Sequence, residues 1–338
     1  MSRKLATVRR IADLKNIPGA DRIELAVVDG WNVVVEKGRY QAGQKIAYFE
    51  TDTLLPADEP LFEDFAKRGT KTMTVAGKDV TGHVLRTIRL RGQISQGLIM
   101  SLSDLAICPD TPEGTDITSD AGVYLYEEPV PVTSDIIGPW DSRIAPKTGA
   151  TRLQNLTEHW DEITALDWTP TVKIDGTSQT IFNDSGRLRI FGHNWELNPE
   201  TATGLQVAGE QNLLEAIPPG TSVQFELAGP KINANRLKLD KLRVFPFALY
   251  TNGTRVPYAD WPAKLAGFRV PTLGPEWALD GSIENLIEQV TALRSNITKD
   301  RLDEGVVWHL NNEAAPTWLD RGASIKLINN KYLLKNGL

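Results

Sequence analysis

The first 128 or so residues alternate between short apolar runs and turn-forming residues. Leu25-Ala26-Val27-Val28 and Trp31-Asn32-Val33-Val34-Val35 flank Asp29-Gly30, a dipeptide that enters positive φ readily and so marks a tight hairpin. Further strands are predicted at Ile46-Ala47-Tyr48-Phe49, at Val84-Leu85-Arg86-Thr87-Ile88 and at Leu98-Ile99-Met100. That spacing suits a small closed barrel.

An oligonucleotide/oligosaccharide-binding (OB) barrel is the natural candidate, although many small barrels share the pattern. The pattern then changes. Glu127-Glu128-Pro129-Val130-Pro131-Val132 is acidic and proline-bearing, and the chain stays turn-rich through Gly138-Pro139 and Pro146 to Gly149, so a linker is expected at 129–149. From about 150 onward strands alternate with helical segments. Ser282 precedes a helical stripe of Ile283, Leu286, Ile287, Val290 and Leu293, as an N-cap would. The expected organisation is α+β: an OB-like domain over 1–128, the linker, and a domain of antiparallel sheets flanked by helices over 150–338.

Composition adds bounds. The 338 residues, 41% hydrophobic and 24% charged, read as a folded two-domain protein. No apolar stretch is long enough to span a bilayer, and the start lacks a secretory pattern, so a cytoplasmic protein with no membrane contact is expected. Cys108 is the single cysteine and the four histidines are scattered, which gives no sign of a structural zinc. The net charge of -6 argues against a passive nucleic-acid coat and requires any such contact to be local. Candidate contacts are Arg86, Arg89 and Arg91, with Lys231 and Arg236 further on; each cluster reads equally well as a solvated face.

The segment with chemical promise is Val172-Lys173-Ile174-Asp175-Gly176-Thr177-Ser178. Lys173 and Asp175 alternate on one strand face, and Gly176 allows close approach to the backbone. Lys-x-Asp-Gly alone arises by chance in about one chain in ten at ordinary residue frequencies. Here it is followed in order by Phe225-Glu226-Leu227-Ala228-Gly229-Pro230, Val244-Phe245-Pro246-Phe247, Asp303-Glu304-Gly305-Val306-Val307 and Ser324-Ile325-Lys326-Leu327-Ile328. This set resembles the nucleotidyltransferase motifs of ATP-dependent ligases and messenger-RNA capping enzymes.

The resemblance is closer to RNA ligases, through Gly229 to Leu237 and Lys326 to Lys335. Ala20-Asp21-Arg22-Ile23-Glu24 and Leu90 to Leu98 look like the Deinococcus-type branch, which has an N-terminal OB domain. The resemblance implies an ATP-grasp-like ligase domain that uses ATP and Mg2+ or Mn2+, holds AMP on Lys173, and seals 3′-hydroxyl/5′-phosphate nicks in RNA. RNA repair is the implied setting, nicked duplex RNA or an RNA-containing duplex the implied partner, and no obligate protein partner is expected.

Residue by residue, the resemblance implies that Lys173 is the nucleophile, with Ile174, Asp175 and Gly176 around the nucleotide. Glu226 takes the ribose, Phe245 stacks on adenine, Glu304 holds the metal, and Lys326 clamps the α-phosphate. Lys326 is also expected to lower the Lys173 pKa as a neighbouring cation. Arg152, Gln154, Asn155 and Lys331 are further nucleotide or phosphate contacts. His193 stands where an arginine is expected, and lacks its fork and permanent charge. The chain stops soon after Lys326, which weighs against a capping guanylyltransferase. The alternatives are an RNA-binding protein with an inactive nucleotidyltransferase shell and a capping-type guanylyltransferase.

Overall fold

The computed structural model describes residues 3–127, 135–295, 297–298, 301–312, 314–319 and 322–336. The chain forms two compact units, Met1–Pro131 with Leu333–Leu338, and Val132–Tyr332.

In the first unit the expected hairpin forms: Ile23–Val28 pairs with Trp31–Glu36, and Asp29 and Gly30 both take positive φ, 46° and 78°. Trp31, Val33 and Val35 alternate inward, so one face of that ribbon is buried with Ala26, Val28 and Tyr48. Asp13–Asn16 joins its other edge. A second sheet places Lys45–Phe49 between Ala6–Arg10 and Leu98–Met100, and a third runs Tyr124–Leu125, Thr53–Pro56, Lys78–Val84, Lys71–Val75. The predicted strand at 84–88 is broken. Lys78–Val84 ends where Thr53–Pro56 stops pairing, and Ile88–Leu90 begins a separate ribbon with Gln93–Ser95. Its turn, Arg91-Gly92, again has two positive φ values, 47° and 83°.

The second unit is built on two sheets. The larger, antiparallel one has the strand order Ile136–Pro139, Trp195–Leu197, Arg187–Phe191, Thr177–Asp184, Thr221–Ala228, Arg243–Thr251, Thr254–Val256. The smaller has the order Thr151–Arg152, Ser324–Ile328, Gly305–Leu310, Trp168–Lys173, with its first pair parallel. Val172, Ile181, Val223 and Phe225 belong to one core, closed by Val207 and Ala208 of the helix Thr203–Glu210. Val306, Trp308, Ile325 and Leu327 belong to a second, with Ile283, Leu286 and Val290 of the helix Ile283–Ala292. Ser282 caps that helix by accepting from the Asn285 amide. The fold class is α+β with mainly antiparallel sheets.

The expected linker needs correction. Residues 129–134 lie outside the described residues, but 135–149 is built into the second unit. Ile136–Pro139 is a sheet strand, and Ile144 and Ala145 are buried against Phe191 and Tyr250. Turn-formers there mark tight packing. Among the described residues no helix is long and apolar enough to cross a membrane.

Candidate active site

Lys173 ends its strand directly opposite Gly305, so Glu304, one residue earlier, comes beside it. The Lys173 Nζ donates to Glu304 Oε2 at 2.7 Å, with both side chains largely buried. Gly176 then turns the chain against the neighbouring strand: a Cβ there would lie 2.4 Å from the Leu227 carbonyl oxygen and 2.8 Å from Glu226 Cγ. Only glycine lets the turn close this tightly. Beyond it Ser178 sits opposite Glu226.

These strands wall a cavity of about 340 Å³. Lys173, Ile174, Gly176, Glu226, His193 and Lys326 all line it, so the structure brings together residues that lie up to 153 positions apart in sequence, 173 to 326. His193 Nδ1 lies 3.4 Å from Thr148 Oγ1, which lies 2.7 Å from Ser178 Oγ. Sequence reasoning did not single out Thr148 or Ser178. Ser178 follows Gly176 by two positions on a strand, and that alternation was the available signal.

Electrostatics at the nucleophile candidate run against the expectation. Burial pulls the Lys173 pKa down, but the carboxylates of Glu304, Glu226 and Asp175 outweigh it and the net shift is upward. Lys173 therefore rests as an ammonium held by Glu304. Glu226 is pushed up to about 8, first by its own burial, with Lys173 opposing and the Glu304 and Asp175 charges adding.

Several expected contacts are elsewhere. Phe245 is buried in the core beneath the Arg243 guanidinium, and Phe247 is the aromatic on the cavity wall. A register shift between Gln224 and Phe225 leaves Phe247 as the extra residue of a bulge, which re-aims it. Arg152, Gln154 and Asn155 do not line the cavity, and Gln154 is buried with Oε1 unbonded among the described residues. Lys331 is exposed and outside the lining. Arg236 is not free for nucleic acid, because it pairs with Asp175 at 2.8 Å. Arg86 is held by Asp52 at 2.7 Å and lies over Tyr126. Arg86, Arg89, Arg91 and Lys231 are all exposed.

Among the described residues no group of three or more His, Cys, Asp or Glu encloses a metal site. Glu304 with nearby Glu226 still offers the hard carboxylate donors that Mg2+ and Mn2+ prefer, and such ions commonly complete their shell with water and phosphate. The residues fit a divalent cation held jointly with a phosphate ligand.

Residues 5–102 match the family model of an OB-fold domain. Over nearly its whole length the chain is similar to the RNA ligase of Naegleria gruberi. A variant of that protein with AMP and Mn superposes with a TM-score of 0.79 at 28% identity, covering 98% of this chain and 99% of that one. The whole fold thus resembles that of an RNA ligase. Another variant, with ATP and Mn, gives the same TM-score, identity and coverage, and the ligase with pyrophosphate gives 0.78 at 28%, covering 99% of both. No curated protein sequence matches the chain. The RNA ligase similarity spans both compact units, so the barrel and the cavity-bearing unit occur together in that architecture.

Proposed function

We propose that this protein is an ATP-dependent RNA ligase that carries AMP on Lys173 and seals 3′-hydroxyl/5′-phosphate nicks, in the branch with an N-terminal OB domain. The observation that carries the reading is the Lys173–Glu304 pair, 2.7 Å apart, beside a cavity walled by Lys326, Glu226, His193 and Phe247.

Lys173, once deprotonated, attacks the α-phosphorus of ATP. The N–P bond forms, the bond to the bridging oxygen breaks, and pyrophosphate leaves with Lys326 neutralising α-phosphate charge. A 5′-phosphate oxygen of the RNA then displaces Lys173 from that phosphorus, and the amine regains its proton. Finally the RNA 3′-hydroxyl attacks the 5′-phosphorus and AMP departs. A divalent cation, with Glu304 as its protein ligand, supplies charge for the phosphate oxygens when bound. Glu226 accepts from the ribose hydroxyls and Phe247 offers a flat face to the base.

Arg89 and Arg91, beside exposed Ile88 and Leu90 on the ribbon of the first unit, suit the backbone and wide shallow minor groove of a nicked A-form duplex. Lys231 adds a third exposed cation. The test is incubation with ATP and Mn2+ and a duplex nicked in RNA or in DNA. Sealing of the RNA nick, lost in Lys173→Ala, is expected. Label from GTP alone would instead favour a capping-type enzyme, and binding of RNA without any label would favour an inactive shell.

A further inference from the structure

Asp175 stands two residues from Lys173, yet its carboxylate does not line the cavity. Its side chain is 8% exposed, and three donors from outside the turn reach it. Asn233 Nδ2 donates to Oδ1 at 3.0 Å and Arg236 donates to Oδ2 at 2.8 Å. The Tyr332 hydroxyl also donates to Oδ2. Asn233 further donates to the Gly176 carbonyl at 2.6 Å. A carboxylate accepts about four hydrogen bonds, so little of Asp175 is left for a ligand.

The donors come from segments shaped for this contact. Between Lys231 and Lys238, residues Lys231, Asn233, Ala234, Asn235 and Lys238 all take φ between 42° and 71°. L-residues rarely adopt that region, and a run of them persists only where surrounding contacts over-determine it. Here Asn235 closes the loop through both the amide and the carbonyl of Leu239, and Thr298 donates to the Leu237 carbonyl. On the other side Asn329, fully buried, accepts from the Lys331 and Tyr332 amides through Oδ1. Its backbone amide donates to the Glu304 carbonyl at 2.8 Å. A closed circuit therefore runs from Glu304 through Asn329 and Tyr332 to Asp175, and along the turn to Lys173.

We infer that Asn233, Arg236 and Tyr332 are positioning residues: by saturating Asp175 they fix the 173–176 turn and so the direction in which the Lys173 amine leaves Glu304 for the α-phosphorus. The strained 231–238 segment is the strap that presents two of them. Arg236 thus acts from behind the nucleophile, where the sequence placed it on nucleic acid.

The inference rests on the ligase reading, and the test separates the two. Single-turnover adenylylation of the full chain is followed over a range of ATP with Mn2+, for wild type, Tyr332→Phe, Arg236→Gln, Arg236→Lys and Asp175→Asn. Rates are compared at a temperature where circular dichroism shows each variant folded. Tyr332→Phe and Arg236→Gln are expected to slow the chemical step roughly tenfold, about 1.4 kcal/mol of barrier, with ATP affinity within about twofold. Arg236→Lys, which keeps the charge, recovers part of the rate. Because Tyr332 acts through Asp175, Tyr332→Phe adds nothing on an Asp175→Asn background. Wild-type rates in the single variants, losses that multiply in the double variant, or losses confined to ATP affinity would overturn the inference while leaving the ligase reading standing. A wild type that takes no label would remove both.

Discussion

Two sides of the turn at Lys173 handle charge in opposite ways. On the cavity side Lys173 and Glu304 bond to each other, beside a cavity that also exposes Lys326. Behind the turn Asp175 is filled by three donors and closed from the cavity. The arginines repeat the contrast, since Arg236 is consumed by Asp175 while Arg89 and Arg91 stay exposed. Charged groups with every bond made inside the protein hold a geometry, and groups left partly open meet a ligand. Residue type alone does not say which is which.

The difference can be broken from the open side first. Glu304→Ala removes the carboxylate that accepts from Lys173 and suits a cation, so single-turnover labelling should fall about a hundred- to a thousandfold. An effect no larger than that of Tyr332→Phe would erase the distinction. Next in size is the aromatic pair. Phe247→Ala should weaken ATP about tenfold, as loss of a base-stacking face does, whereas Phe245→Ala should lower the melting temperature through a core cavity worth about 3–5 kcal/mol. Reversal of those two outcomes, read by ATP titration and calorimetry, would restore the stacking role to Phe245.

A smaller effect is expected on the duplex. Arg89→Ala with Arg91→Ala should leave labelling unchanged and flatten the dependence of log Kd on log salt by about 1–2, since each phosphate that an arginine neutralises adds about 0.9 to that slope. The last effect is thermal. Glu226 has its folded pKa at about 8 against an ordinary 4.5, so between those values the folded chain keeps a proton that the unfolded chain releases. Its contribution to stability is full below about 4.5 and is lost as pH rises through about 8. The melting temperature of the apo protein should therefore fall from pH 5 to 8, and Glu226→Gln should fall less; equal slopes would mean that Glu226 does not carry the proton.

What could be read in advance follows from the range of each interaction. Local rules placed the Asp29-Gly30 hairpin and the Ser282 cap because both are decided within a few residues. Ordered motifs named Lys173, Glu226, Glu304 and Lys326, and the strand register brings those four residues together. Phe247 was hidden because a bulge of one residue, set by pairing with a distant strand, decides which aromatic faces the cavity. Arg236 and Asp175 were misread for a similar reason: neither the loop of positive-φ residues nor the Tyr332 contact has a local signature. The segment 135–149 looked like a linker because packed turns and loose ones use the same residues.

Everything at this site turns on whether Lys173 Nζ forms the bond to AMP. Incubation with α-labelled ATP and Mn2+, proteolysis and mass mapping of the labelled peptide test it directly, with removal of bound AMP by pyrophosphate beforehand. AMP is expected on the peptide carrying Lys173, acid-labile as a phosphoramide and absent from Lys173→Ala. AMP on a peptide carrying Lys326 instead, or label that survives in Lys173→Ala, would contradict it.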